Sequence, residues 1–197
     1  MTQEAVSVAR NLFDDETYSK ILAFMEKELR YMPLAIDDTG FVRKYSHNLP
    51  FFTKIHNQLA DFASEQFGEK LIPSYSFLSL YEDGGTCPLH IDRPQCYRTI
   101  DYLIKQDDPN PWPISISRYM SDEERQKIMD DGESHPVGPQ INKVIDSEEW
   151  ESINLEPNDA VLYSGTNSWH YRPTKLSGTA ALVFFHFVPE DFDGPLD

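Results

Sequence analysis

The chain predicts an α+β fold that is mainly β, with helices packed on the outside of a sheet sandwich. Three observations carry this. Two stretches within the first 70 residues have helical spacing, the period changes from helical to alternating after Pro73, and alternating or apolar runs then recur to the C-terminus. At 197 residues, with 40% hydrophobic and 13% aromatic residues, the chain is long enough for one domain with a sizeable core.

The first helix is expected over residues 14–31. Asp14 or Asp15 can cap it, acids fill its first turn, and Tyr18, Ile21, Leu22, Met25 and Leu29 share a face. Pro33 helps to stop it. A loop or short strand then runs through Asp37, Asp38 and Gly40 to Tyr45. Pro50 opens a second helix, with Ile55, Leu59, Phe62, Ala63 and Phe67 as its stripe, and Gly68 closes it. His56 lies on this helix and reads as a surface or internally satisfied side chain.

Beyond Pro73, Tyr75, Phe77, Ser79 and Tyr81 fall on one face of a strand and Ser76, Leu78 and Leu80 on the other. Glu82 to Gly85 make a turn, CPLHID is extended, and residues 96–104 form another strand. Residues 105–150 break the rhythm with a turn, a short strand, a brief acidic helix and loops. Ser121 with Glu124 fits a capping box. This stretch is either a lid over a site or a solvated connection, and His135 reads as an ordinary loop residue within it. Residues 153–164 read as strand, a turn at Pro157, Asn158 and Asp159, and strand. Residues 180–188 form a last apolar strand, in which His186 is expected as a satisfied core histidine. No repeat or linker divides the chain.

Composition excludes several functions. The net charge of −16 argues against nucleic-acid and anionic membrane partners, both of which need clustered Lys and Arg. No stretch approaches the roughly 20 apolar residues of a membrane span, and the first residues do not read as a signal peptide. Cys87 and Cys96 are too few for a disulfide framework and form no CxxC pair. Small buried thiols in a reducing cytoplasm is the reading for both, which gives a cytoplasmic location.

One stretch concentrates chemistry: residues 74–102, SYSFLSLYEDGGTCPLHIDRPQCYRTIDY. His90 and Asp92 are two apart, so on extended chain they share a face. They are either a surface pair or two-thirds of a 2-His-1-carboxylate triad, the ligand set that holds non-haem Fe(II) with open positions. The distal candidate is His170, which could equally be a core histidine.

YEDGGTCPLHID, then YRTIDYLI and LEPNDAVLYSGTNSWHYRP, resemble the Fe(II)- and 2-oxoglutarate-dependent dioxygenases, nearest the prolyl 4-hydroxylase-like branch. The resemblance covers roughly residues 73–188 and omits the N-terminal helices and the 105–150 insertion. It implies a double-stranded β-helix, a jelly-roll of the cupin type. It also implies His90, Asp92 and His170 as iron ligands, and 2-oxoglutarate and O2 as cosubstrates. The implied activity is hydroxylation of an unactivated C–H bond in a small molecule, an amino acid or a peptidyl residue, with release of succinate and CO2. A carboxylate at position 92, where a halogenase-like site carries a small residue, implies hydroxylation over halogenation.

The chain departs from that pattern where the family carries a cation on the last strand, because Gly178 is followed by Thr179, Ala180 and Ala181. The far carboxylate of 2-oxoglutarate then needs another anchor. Arg98 is the first expectation and Arg172 the second, with Lys175 less constrained; Arg reads a carboxylate bidentately. Tyr81 is expected to hydrogen-bond the cosubstrate, and Arg93, Trp112 and Trp169 are candidate substrate contacts. The missing cation gives weight to an alternative, a cupin-like isomerase or sensor that does not use 2-oxoglutarate.

Overall fold

The computed structural model describes residues 6–37, 41–107 and 110–197. The expected loop through Asp38 and Gly40, part of the 105–110 turn and the first five residues lie outside them.

Short strand β1 (Ser7–Ala9) precedes helix α1 (Asp15–Lys27), whose cap Asp14 accepts a hydrogen bond from the Thr17 amide at 2.7 Å. A single 3-10 turn follows at Leu29–Tyr31, so the predicted helix over 14–31 resolves into two pieces. Strands β2 (Ala35–Ile36) and β3 (Arg43–His47) come next. The second predicted helix is also two, α2 (Pro50–Gln58) and α3 (Ala60–Phe67), meeting at Leu59, whose ψ of −7° opens the helical ladder. Gly68, at φ 70°, ends α3 in the left-handed conformation that Gly adopts without steric cost.

The β region contains β4 (Leu71–Tyr81), β5 (Cys87–His90), β6 (Arg98–Gln106) and β7 (Ile114–Ser117). Helices α4 (Asp122–Asp130) and α5 (Pro139–Ser147) follow, then β8 (Trp150–Ile153), β9 (Ala160–Tyr163), β10 (His170–Arg172) and β11 (Ala180–Pro189). The Ser121–Glu124 capping box of α4 is formed. Among the described residues, one sheet has the order β1-β9-β6-β11-β4-β3-β2 and a smaller one β5-β10-β7-β8. Consecutive strands from β4 to β7, and again from β8 to β11, alternate between the sheets.

Alternation along each strand then sorts side chains into two compartments. Leu78, Ile100, Tyr102, Ile104, Val183, Phe185 and Phe187 face α1–α3 and form the main core with Ile21, Phe24, Phe52 and Ala63. The residues between them in sequence point inward, between the sheets. The 105–150 stretch is not wholly an insertion, because β7 is a central strand of the smaller sheet. Its helices cover that sheet's outer face, where Ile128, Ile141 and Val144 pack on Leu89, Ile91, Met120 and Trp169. No helix among the described residues is long and apolar enough to cross a membrane.

His56 is buried, and its Nε2 donates to the His186 carbonyl at 2.8 Å. Burial, reinforced by His186, pulls its pKa down to about 3. The folded protein therefore keeps this imidazole neutral where the unfolded chain takes a proton. Its contribution to stability is complete above about pH 6.5 and is lost as the pH falls toward 3, at up to about 1.4 kcal/mol per pH unit. Thermal melts at pH 7 and pH 5 check this: His56→Leu should lose less stability between the two than the wild-type protein does.

Candidate metal centre and its cavity

β5 and β10 are antiparallel neighbours, and their register sets His170 opposite His90. The two imidazoles stand 4.2 Å apart between ring centroids. Asp92 lies just past the end of β5, where its amide donates to the Gly165 carbonyl at 2.8 Å. Its Oδ1 is 3.5 Å from His90 Nε2 and its Oδ2 3.7 Å from His170 Nε2. One donor atom from each of the three residues lies within 4.8 Å of the others.

The tautomers are set from behind. His90 Nδ1 donates to the Pro88 carbonyl at 2.7 Å, and His170 Nδ1 donates to the Ser168 carbonyl at 3.0 Å. Each ring therefore turns the lone pair of Nε2 toward Asp92, as a ligating histidine must. Protonation states agree with this. Burial, helped by the charge of His90, pulls His170 down to about 4. Burial pushes the Asp92 carboxyl up, but His170 and His90 outweigh it and hold it well below the usual carboxylate range. Two imidazoles and one carboxylate are a fitting donor set for a divalent first-row metal.

Gly165 makes room for this geometry. A Cβ there would lie 2.4 Å from Asp92 Oδ2, 2.5 Å from the Cys96 carbonyl and 3.0 Å from Thr99 Oγ1.

The three residues open into a cavity of ≈ 230 Å³ between the sheets. At one side Tyr81, Asp101 and Arg172 line it. Arg172 donates from one terminal nitrogen to Asp101 Oδ2 at 3.1 Å and from the other to the Trp112 carbonyl. Asp101 is fully buried, and its Oδ1 has no hydrogen-bond partner among the described residues. Burial, offset in part by Arg172, pushes its carboxyl up to about 6. The Tyr81 hydroxyl accepts from Arg43 at 3.1 Å, and burial, offset by Arg43, pushes it up to about 12.

The structure separates the expected residues. His90, Asp92, His170, Tyr81, Arg172 and Arg93 line the cavity. Arg98 does not, and the first expectation for the anchor is corrected. Thr99 and Asp101 point inward on β6, so alternation turns Arg98 to the helix side. There its Nε donates to Glu69 at 2.6 Å and its guanidinium lies over Tyr97. Lys175 is exposed in the following loop. Trp169 is buried on the outer face of the smaller sheet, away from the cavity. Trp112 stands behind the wall, 4.9 Å from the Tyr81 ring and beneath Arg172.

Other participants escaped the sequence reading. Arg43 lines the cavity, paired with Asp37 at 2.7 Å and hydrogen-bonded to Ser79 at 3.2 Å. The alternation Arg43, Tyr45, His47 on a short strand was its signal. His135, read as an ordinary loop residue, stacks on His90 at 5.5 Å. His186 bonds Thr99 at 3.0 Å, as a satisfied histidine would, yet it also borders the cavity and lies with Cys96 beside Asp92.

No protein-family model matches the chain, and no curated protein matches it in sequence. Solved structures do match in fold. The non-heme alpha ketoglutarate dependent epimerase SnoN from nogalamycin biosynthesis aligns with a TM-score of 0.71 at 11% identity, over 95% of this chain and 79% of that one. The non-heme alpha ketoglutarate dependent carbocyclase SnoK from nogalamycin biosynthesis gives 0.71 at 11%, over 96% and 81%. HygX from Streptomyces hygroscopicus, with nickel, 2-oxoglutarate and hygromycin B bound, gives 0.63 at 12%, over 96% and 85%. The chain shares the fold of these enzymes.

Gly165→Ala tests the cradle. Its methyl group would displace the Asp92 carboxylate, and metal affinity should fall by at least about tenfold, the lower end for a disturbed ligand support. Titration of the metal-free protein with Co(II), followed by visible absorption, measures it.

Proposed function

We propose that the protein is an Fe(II)- and 2-oxoglutarate-dependent oxygenase, built on a double-stranded β-helix, that hydroxylates an unactivated C–H bond of a small molecule, an amino acid or a peptidyl residue. The observation that carries this reading is the convergence of His90, Asp92 and His170, with both histidines held by backbone carbonyls in the ligating tautomer. The alternation of strands between two sheets and the fold shared with enzymes of this chemistry support it.

In this reading His90, Asp92 and His170 hold the iron. Bound there, iron and 2-oxoglutarate supply oxidation of the substrate C–H bond by O2, coupled to conversion of 2-oxoglutarate to succinate and CO2. Three protein ligands leave positions for a chelating cosubstrate and for O2. A carboxylate at position 92 occupies the place a halide would need, which favours hydroxylation over halogenation. Arg172 anchors the far carboxylate, and Tyr81 lies in the same part of the cavity. Arg172 is preferred to Arg43 because its carboxylate partner, the buried Asp101, has its carboxyl pushed up to about 6 and can release the guanidinium on protonation, whereas Arg43 is held by Asp37, Ser79 and Tyr81. Having an arginine in the cavity also removes the reason for preferring a cupin-like protein without 2-oxoglutarate.

Asp101 adds a proton to this step. Ionised, it neutralises Arg172; protonated, it leaves the guanidinium free for the cosubstrate and can donate from its unpartnered oxygen. Proton uptake should therefore accompany 2-oxoglutarate binding.

Three measurements follow from this reading. Anaerobic addition of Fe(II) and 2-oxoglutarate should give a weak visible charge-transfer band, lost in His170→Ala; no band at saturation with wild-type protein overturns the assignment. Calorimetry with Zn(II)-loaded protein should show Arg172→Ala weakening 2-oxoglutarate binding by about tenfold to a hundredfold, the range for a lost charge-assisted bond. Arg98→Ala should lower thermal stability instead. The affinity of the wild-type protein should fall as pH rises from 6 to 8, by at most about tenfold per unit for one proton, and Asp101→Asn should flatten that dependence.

A further inference from the structure

Beyond the three candidate ligand residues and the Arg172 end, the cavity has a second side, walled by aromatic rings and bordered by two cations, Arg43, 4.9 Å from the Phe77 ring, and Arg93. Phe77 stacks on Tyr45 at 5.1 Å and meets the His47 ring at 4.7 Å. Phe184, its register partner on β11, lies beside it on the same wall at 6.2 Å. The Arg93 guanidinium stands 4.5 Å above the Tyr75 ring, and its Nε donates to the Tyr75 hydroxyl at 3.3 Å. Arg93 is exposed at this mouth and borders the cavity.

Its pairing differs from that of the other two cavity arginines. Arg43 is paired with Asp37 and Arg172 with Asp101, whereas no carboxylate among the described residues ion-pairs with Arg93. Asp197, which lies near His47, is bound instead by the Asn48 side chain at 3.1 Å. In a chain of net charge −16, an unpaired guanidinium facing a cavity is an anion site awaiting its anion. Tyr75 and Cys96 take part of its five N–H groups, and the others remain for a carboxylate.

We propose that this side is the substrate subsite and that it takes a carboxylate with a flat, aromatic body: the ring lies among Tyr75, Phe77 and Phe184, and the carboxylate sits on Arg93. Calling the occupant a substrate rests on the oxygenase reading above; the binding preference does not. Arg93 lines the same cavity as His90, Asp92 and His170, so an anion held on it shares that space with the three residues. Stacked rings and one cation select for planarity and charge together.

The test uses 3-phenylpropanoate, its uncharged amide and 3-phenylpropylamine as probes, with binding followed by ligand-observed NMR. Measurements are made on metal-free protein and on protein loaded with Zn(II) and 2-oxoglutarate. The carboxylate should bind at least about tenfold more tightly than the amide in both forms, and the amine should be weakest. Arg93→Gln should erase the difference between carboxylate and amide, and Arg93→Lys should retain part of it. Absence of saturable carboxylate binding overturns the proposal, as does equal binding of the amide or a preference that survives Arg93→Gln. Failure of the oxygenase reading shows separately, as absence of 2-oxoglutarate binding to the Zn(II)-loaded wild-type protein, and leaves the probe preference in metal-free protein unaffected.

Discussion

The pairing of β5 with β10 is the constraint on which the site depends. It sets His90 opposite His170, and a slip of one residue would turn one ring to the other face of the sheet. A strand as short as β10 cannot hold register by itself. It is fixed on its other side by β7, where Ser117 Oγ accepts from the Trp169 amide at 2.9 Å. The buried loop before it is fixed by Asn167, which donates to the Met120 carbonyl and to Asp122. The same loop presents the Gly165 carbonyl to Asp92, so one rigid segment positions two of the three candidate ligand residues. Such a loop bears buried polar groups only because each finds a partner.

The electrostatics of the cavity run against those of the molecule. An acidic surface encloses a chamber with three arginines, and two of these are kept by buried or nearly buried carboxylates. Taking a guanidinium out of water is costly unless an anion accompanies it. Asp37 and Asp101 are therefore part of the reason that Arg43 and Arg172 can face inward. The unpartnered oxygen of Asp101 shows that this arrangement is incomplete in the protein alone. A buried acceptor without a donor is a cost that a proton or a ligand removes.

Much of this was legible in the sequence. The change of period at Pro73 located the start of the β region, and a histidine and an acid two apart pointed to the centre. The PND turn ahead of the distal strand is present, with Asn158 at φ 74°. What failed did so for identifiable reasons. Arg98 was expected from its place on the strand after Asp92, whereas parity along β6 decides the matter: Asp101 faces in, and Arg98, an odd number of positions away, faces out. β7 was expected as a short strand, since Ile114 to Ser117 alternate apolar and polar, but its place at the centre of a sheet depends on pairing with β10 and β8, which the local pattern does not show. Arg43 depended on β3, a five-residue strand whose pairing with β4 is long-range and leaves little trace in local pattern.

The missing cation on the last strand shows how one site can be built in two ways. The inward positions of β11 begin with Ala180 and Leu182, which pack with Tyr81, Leu103 and Trp112 and leave no charged group there. β11 and β10 belong to different sheets that face each other across the cavity. A side chain as long as arginine, rooted on either strand, reaches the space between them. Arg172 enters from the opposite wall, with Asp101 on β6 to receive it. The fold requires a cavity between two sheets and leaves open which strand supplies its charge, which is why fold likeness at 11% identity leaves the anchor to be read from the side chains themselves.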